Sequence, residues 1–375
     1  MSGGASLTKS GHIAGLDGLR ALAILGVVGY HLLPGVLRGG YLGVLLFWVI
    51  SGYLLSVTSE RSASKGRFRT GEFYKKRVLR LYPALLLMLV FVTCFFTLFL
   101  QDELRGIRRE LLSVVFGYNN WWQIAQQSSY FARLSSASAF THLWFLAVQI
   151  QVCLLWPLFF KLYKALDTRW PRLQARNLFL VLAVASAAAM AALYRPGQDV
   201  SRLYYGTDTR AFAFFVGAYA GTLKRKAAPA LSSGKKKIGI AAFALGTAAT
   251  LAGYFLFDGQ QGFMYQGGMA LFTLLFAGMV MLAASLRLPI GRAIDRPPLL
   301  WMGQRSYEIY LWHYPILFCC ARLSGADDLS LPLLLLVLLL TFLFMQGSRL
   351  LLDGLRAVKA PKEKPGKKPA ELRRA

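Results

Sequence analysis

The chain has 375 residues, of which 56% are hydrophobic and 16% charged, whereas a soluble globular domain carries about 25% charge. Long apolar runs broken by polar gaps exclude a disordered, fibrous or coiled-coil protein and describe a polytopic membrane protein lodged in a lipid bilayer. The net charge of +26 would suggest nucleic acid in a soluble protein. Here the cations fall between apolar runs, as the positive-inside rule requires, so no nucleic-acid partner is expected.

In chain order the apolar runs are roughly 16–36, 41–58, 78–100, 110–126, 142–164, 177–195, 209–223, 238–257, 263–286, 299–321 and 329–352. The basic gaps decide which of these cross. Segment 59–77 holds seven Lys/Arg, 161–176 five, 224–237 six, 287–305 four, and the chain after 352 eight. All five are expected on the cytoplasmic side. If the third run leaves the membrane near residue 100, the run 142–164 must re-enter, so 110–126 cannot cross. That run carries Asn119, Asn120, Gln123 and Gln126 beside Trp121 and Trp122, and it reads as a re-entrant or interfacial segment. The expectation is an all-α integral membrane protein of about ten transmembrane helices with both termini cytoplasmic. On that count 31 basic residues lie inside, nine outside, and Arg20, Arg80 and Arg349 within or at the ends of spans.

The domain reading is a short disordered N-terminus (1–14), one membrane domain (15–355) and a basic disordered cytoplasmic tail (356–375). No internal repeat supports an inverted-repeat transporter fold. No early run ends in a cleavage-like site, so the first run should remain as a span. The four cysteines, Cys94, Cys153, Cys319 and Cys320, lie in apolar runs without metal spacing. They read as buried free thiols, and no metal is expected.

Four histidines occur, His12, His31, His142 and His313. The last three sit within or at the edge of apolar runs, where an ionisable group is expensive and therefore a functional candidate. The alternative for each is a hydrogen bond to a neighbouring helix. Arg20 and His31 are eleven residues apart in the first run. On a helix they share one face and are separated by about 16 Å along the axis. Asp17 is placed to pair with Arg20. Arg77 and Arg80 lie one turn apart beside the most basic gap, and guanidinium forks suit phosphates; the alternative is simple topological anchoring. Ser51-Gly52 either lets backbone approach a ligand or packs helices. Asp208 and Arg210, at the outer end of the seventh run, either pair or contact a ligand.

Five elements resemble, in order, the acyltransferase-3 family of membrane-bound O-acyltransferases. They are Leu16-Asp17-Gly18-Leu19-Arg20 continuing to His31, Phe47 to Tyr53 around Ser51-Gly52, Arg77-Val78-Leu79-Arg80 with Pro83, His142-Leu143-Trp144 with Gln149, and Ser306-Tyr307-Glu308-Ile309-Tyr310-Leu311-Trp312-His313-Tyr314-Pro315. The resemblance is taken to extend over residues 15 to about 352.

The resemblance implies transfer of an acyl group, usually acetyl, from cytoplasmic acyl-CoA such as acetyl-CoA. The acceptor would be a hydroxyl of a cell-envelope glycan, exopolysaccharide or lipid-linked saccharide, and the location a bacterial inner (cytoplasmic) membrane. It implies that His31 deprotonates the acceptor hydroxyl or receives the acyl group, roles suited to an imidazole. Arg20 and Asp17 are its catalytic companions, and Arg77, Arg80, Ser51 and Gly52 serve the donor. Further candidates are His313, Tyr310, Trp144, Gln149, Glu308 and His142. The chain departs from the family at Gln149, where glutamate is usual. A glutamine hydrogen-bonds but cannot ionise, and Glu308 is the nearest candidate to supply the charge. Gln151 cannot substitute, since it points about 200° away. The rival readings are a carrier or flippase using Arg20, His31 and His313, and a catalytically inactive family member.

Overall fold

A computed structural model describes residues 13–128, 138–170, 174–223, 232–285, 288–325 and 330–359. The reading of a disordered N-terminus and tail falls mostly outside these residues, as do His12 and most of the gap 224–237. Among the described residues the structure is helical and contains no strand.

The ten runs read as crossing each contain a helix. These are α1 (Leu16–Leu32), α2 (Leu42–Ser64), α3 (Thr70–Phe99), α6 (Trp144–Arg169), α7 (Asn177–Leu193), α10 (Phe212–Thr222), α11 (Ser233–Leu256), α12 (Met269–Ala283), α15 (Ser306–Ser324) and α16 (Leu331–Lys359). Among the described residues six helical segments are long and apolar enough to cross a membrane, namely α2, α3, α6 with its 3₁₀ lead-in, α11, α12 with its π lead-in, and α16. The chain is therefore a multi-pass membrane protein. The run 110–126 forms two short helices, α4 (Ile107–Val115) and α5 (Asn119–Ala125), of nine and seven residues. Each is about 14 Å long or less, against a hydrocarbon core of about 30 Å. Four more short helices, α8 (Ser201–Tyr205), α9 (Thr207–Arg210), α13 (Ile290–Ile294) and α14 (Leu299–Gln304), connect the long ones.

Two features fix the helices that carry the site. The start of α1 is capped from far away in sequence. Asp295 accepts the Gly15 amide at 2.6 Å and the Gly18 amide at 2.9 Å, placing a carboxylate on the positive end of the helix. The second feature is the seam between α2 and α10, which is made of glycines. A Cβ on Gly52 would collide with the Phe214 carbonyl and the Ala218 amide, and one on Gly217 with the Val49 carbonyl. Small residues at such a seam let two backbones approach where lipid offers no hydrophobic drive.

The thiols differ from the expectation. All four cysteines are free, but only Cys153 is buried; Cys94 is exposed and Cys319 and Cys320 are intermediate. Cys94 shares the outer face of α3 with exposed Val90, Phe91 and Leu98, an apolar face of the kind a bilayer covers.

Candidate functional site

Helices α1, α2, α3, α6 and α15 converge on a cavity of about 430 Å³. Its wall brings together Asp17, Arg20, Ser51, Arg77, Arg80, Gln149 and Tyr310, residues drawn from all five elements singled out in the sequence. A second basin of about 300 Å³ adjoins it, sharing Thr58, Arg77 and Arg80 and adding Arg67, Arg69 and Lys76. The two form a cation-lined path leading in from the basic segment 59–77. Guanidinium groups at that spacing suit an oxyanion-rich ligand such as a phosphate.

Within the cavity Arg20 is paired to Asp17, Nη1 to Oδ1, at 2.5 Å, one turn apart on α1. Gln149 donates to the Cys153 sulfur at 3.2 Å, while its Oε1 is buried and accepts no hydrogen bond. Gln151 points elsewhere. It donates to the Gly117 carbonyl and to Asn120 Oδ1, both at 2.8 Å, and accepts from Thr207.

Beyond the cavity His31, His142 and His313 meet. The His31 and His313 rings lie 5.4 Å apart, and those of His142 and His313 5.5 Å apart. Tyr314 fills the space between them, 4.8 Å from His31 and 5.0 Å from His142. His313 is fully buried and is not interhelical glue. Its Nδ1 reaches the carbonyls of its own helix, Tyr310 at 2.8 Å and Ile309 at 3.2 Å. Those carbonyls can only accept, so the proton sits on Nδ1 and Nε2 carries the lone pair. Nε2 has no hydrogen-bond partner. Neither ring nitrogen of His142 has one at hydrogen-bond distance; backbone groups of Leu311 and Ala139 lie near it. Pro315 cannot donate to the Leu311 carbonyl, which leaves that group available to the pocket.

Tyr310 joins the two halves. It lines the cavity, and its ring lies 5.2 Å from His142 and 6.0 Å from His313. The remaining candidates lie off this axis. Gly52 faces the α10 backbone at the seam described above, so its conformational freedom serves packing and not ligand approach. Trp144 is buried against Trp48, Tyr204 and Tyr205. Glu308 is absent from the cavity wall and belongs with the charges around Arg80, five residues from His313, so it is not placed to serve the histidines. Asp208 and Arg210 do not pair with each other. Asp208 pairs with Arg202, Oδ2 to Nη2 at 2.9 Å. Arg210 is fully buried over the rings of Tyr204, Trp48 and Trp144 at 4.5–5.9 Å, a cation–π arrangement. Among the described residues no group of three or more His, Cys, Asp and Glu is arranged to hold a metal ion.

The sequence reading missed Tyr314 and Asp295. The first was visible as the neighbour of His313 in a quoted motif. The second lies in a short connector and carries no local signal.

Residues 13–348 match the acyltransferase-3 family, described as an acyltransferase domain. Among similar proteins, YrhL of Bacillus subtilis is 36% identical over 310 residues, covering 82% of this chain and 49% of its own. Peptidoglycan O-acetyltransferase OatA of Listeria monocytogenes is 34% identical over 317 residues, covering 82% and 49%. O-acetyltransferase OatA of Staphylococcus aureus is 31% identical over 345 residues, covering 90% and 56%. The chain thus spans about half the length of these relatives. No solved structure matches it.

Proposed function

This chain belongs to the acyltransferase-3 family, and from that premise we propose that it is a membrane O-acetyltransferase. Its donor is acyl-CoA, taken as acetyl-CoA, and its acceptor is a hydroxyl of a cell-envelope glycan. The relatives named as peptidoglycan O-acetyltransferases favour a glycan of that kind over an exopolysaccharide. The observation that carries the reading is Tyr310, which touches both the arginine-lined cavity and the histidine cluster.

Arg77 and Arg80 bind the donor's phosphates by charge-assisted hydrogen bonds. Arg20, oriented by Asp17, extends the cationic path toward the thioester. His31 takes the proton of the acceptor hydroxyl as that oxygen bonds to the acyl carbon. The carbon–sulfur bond breaks, and the imidazolium returns the proton to the leaving thiolate. If His31 itself carries the acetyl group, an imidazole nitrogen first bonds to the acyl carbon as the carbon–sulfur bond breaks and the thiolate leaves with the ring proton; that carbon–nitrogen bond then breaks as the acceptor oxygen bonds to the acyl carbon, and the hydroxyl proton returns to the imidazole. The basic segment 59–77 lies on the cytoplasmic face of the bacterial inner membrane, and the ten helices cross it with both termini inside.

The test is mass spectrometry of envelope glycans from a strain lacking the gene. The expected result is loss of an acetyl mass from one sugar hydroxyl. An unchanged acetylation pattern under conditions where the protein is made contradicts the reading.

A further inference from the structure

Glu110 lies in α4, in the segment that does not cross, and is buried. A buried carboxylate costs several kcal/mol of lost hydration unless it is hydrogen-bonded, and this one is bonded at both oxygens. Gln123 Nε2 donates to Oε1 at 3.0 Å and Ser138 Oγ donates to Oε2 at 2.6 Å. The contacts continue inward. The Ser138 amide donates to Thr141 Oγ1 at 3.0 Å, and Thr141 lies beside the Tyr314 hydroxyl, within reach of the charge of Glu110. Tyr314 is the ring wedged between His31 and His142. A chain of polar contacts therefore runs from a buried carboxylate on one side of the cluster to the ring that spaces two of its histidines.

We propose that Glu110 is a positioning residue for acyl transfer, acting through Ser138, Thr141 and Tyr314 to fix the His31–His142–His313 arrangement. It does not contact the donor, because it lies outside the arginine-lined cavity. The carboxylate is suited to the role because it accepts at both oxygens, tying α5 through Gln123 and the 138–141 turn through Ser138 to one point. An amide at this position accepts at one atom and donates at the other, so one of the two ties must reverse and both lose their charge assistance.

The inference rests on the acetyltransferase reading. Full-length wild type, Glu110→Gln, Glu110→Asp, Tyr314→Phe and the Glu110→Gln/Tyr314→Phe double variant are reconstituted in liposomes. They are assayed with labelled acetyl-CoA and soluble fragments of digested peptidoglycan, and their melting temperatures are recorded. The expected result is a loss in kcat of about tenfold or more in Glu110→Gln and Tyr314→Phe, with donor KM within about twofold of wild type. The double variant should be no worse than the poorer single, since residues in one network are not additive, and Glu110→Asp should recover part of the rate. If Glu110→Gln fails to fold, Thr141→Val cuts the same chain with the carboxylate intact and should lose kcat in the same way. Losses that multiply in the double variant, or full activity in Thr141→Val, overturn the assignment while leaving the acetyltransferase reading standing. Absence of wild-type turnover overturns both.

Discussion

The Tyr310 hydroxyl donates to the His142 carbonyl at 2.5 Å, and the two rings lie 5.2 Å apart. This contact ties α15 to the lead-in of α6 at the point where the arginine-lined cavity ends and the histidines begin. A single tyrosine thus separates a region suited to phosphates from one suited to proton transfer. The partition lets donor binding and chemistry be lost independently.

His313 has its Nδ1 proton committed to backbone carbonyls, which leaves Nε2 as a base without a hydrogen-bond partner on a ring 5.4 Å from that of His31. Replacing it by Ala or Gln should cut kcat by about 10²-fold or more, the range of a lost acid–base group, with donor affinity retained. Isothermal titration with CoA separates binding from turnover. A fall in CoA affinity equal to the fall in rate would place His313 in donor binding instead.

Arg77→Ala and Arg80→Ala should each weaken CoA binding by about 1.5–3 kcal/mol, the worth of a hydrogen bond to a charged group. Lysine should restore only part of this, lacking the planar fork. Unchanged CoA affinity in both Ala variants, with the protein still folded, would reduce the pair to topological anchors.

Gln149 and Glu308 are now distinguishable by position. Gln149 faces the cavity with Oε1 unsatisfied, so Gln149→Glu places a carboxylate on the wall that also holds Arg77 and Arg80. Activity should be kept or raised. Glu308 belongs with the charges around Arg80, so Glu308→Gln should raise donor KM and leave kcat close to wild type. A wild type that is silent with every acyl-CoA, and is activated by Gln149→Glu, would identify a natural inactive form.

In α9, burial acts to raise the Asp208 carboxyl, but the hydrogen bonds and charge of Arg202 outweigh it and hold the group below its ordinary range. A depressed carboxylate adds stability that is present at neutral pH and lost as pH falls through its folded value, here below about pH 4. Both partners are more than a third exposed, so the effect is small. Asp208→Asn should flatten the acid limb of melting temperature against pH. Parallel acid limbs in the two proteins would mean that the pair contributes nothing.

Arg20, Ser51, Arg80, Gln149 and Tyr310 were legible in the sequence because polar residues in apolar runs are few, and Arg77 because it lies one turn from Arg80; they meet on one wall. The meeting of His31 with His313 was not legible, since helical spacing orders residues along one helix and says nothing of which helices touch. Gly52 was ambiguous for the same reason, and only the position of α10 assigns it to packing. Glu110 was hidden in the most polar of the apolar runs, where Asn119, Asn120 and Gln123 drew notice and its own partner Ser138 lay far along the chain. Asp295 caps α1 from a connector whose sequence carries no periodicity.

In the proposed reaction acetyl passes from a donor held by arginines to a hydroxyl activated by His31. The most direct measurement is label transfer from acetyl-CoA to soluble peptidoglycan fragments by the purified protein in liposomes, comparing wild type with His31→Ala. Wild type should produce an acetyl ester on the glycan, and His31→Ala should produce none while binding CoA with unchanged affinity. Transfer by His31→Ala near the wild-type rate would contradict the account.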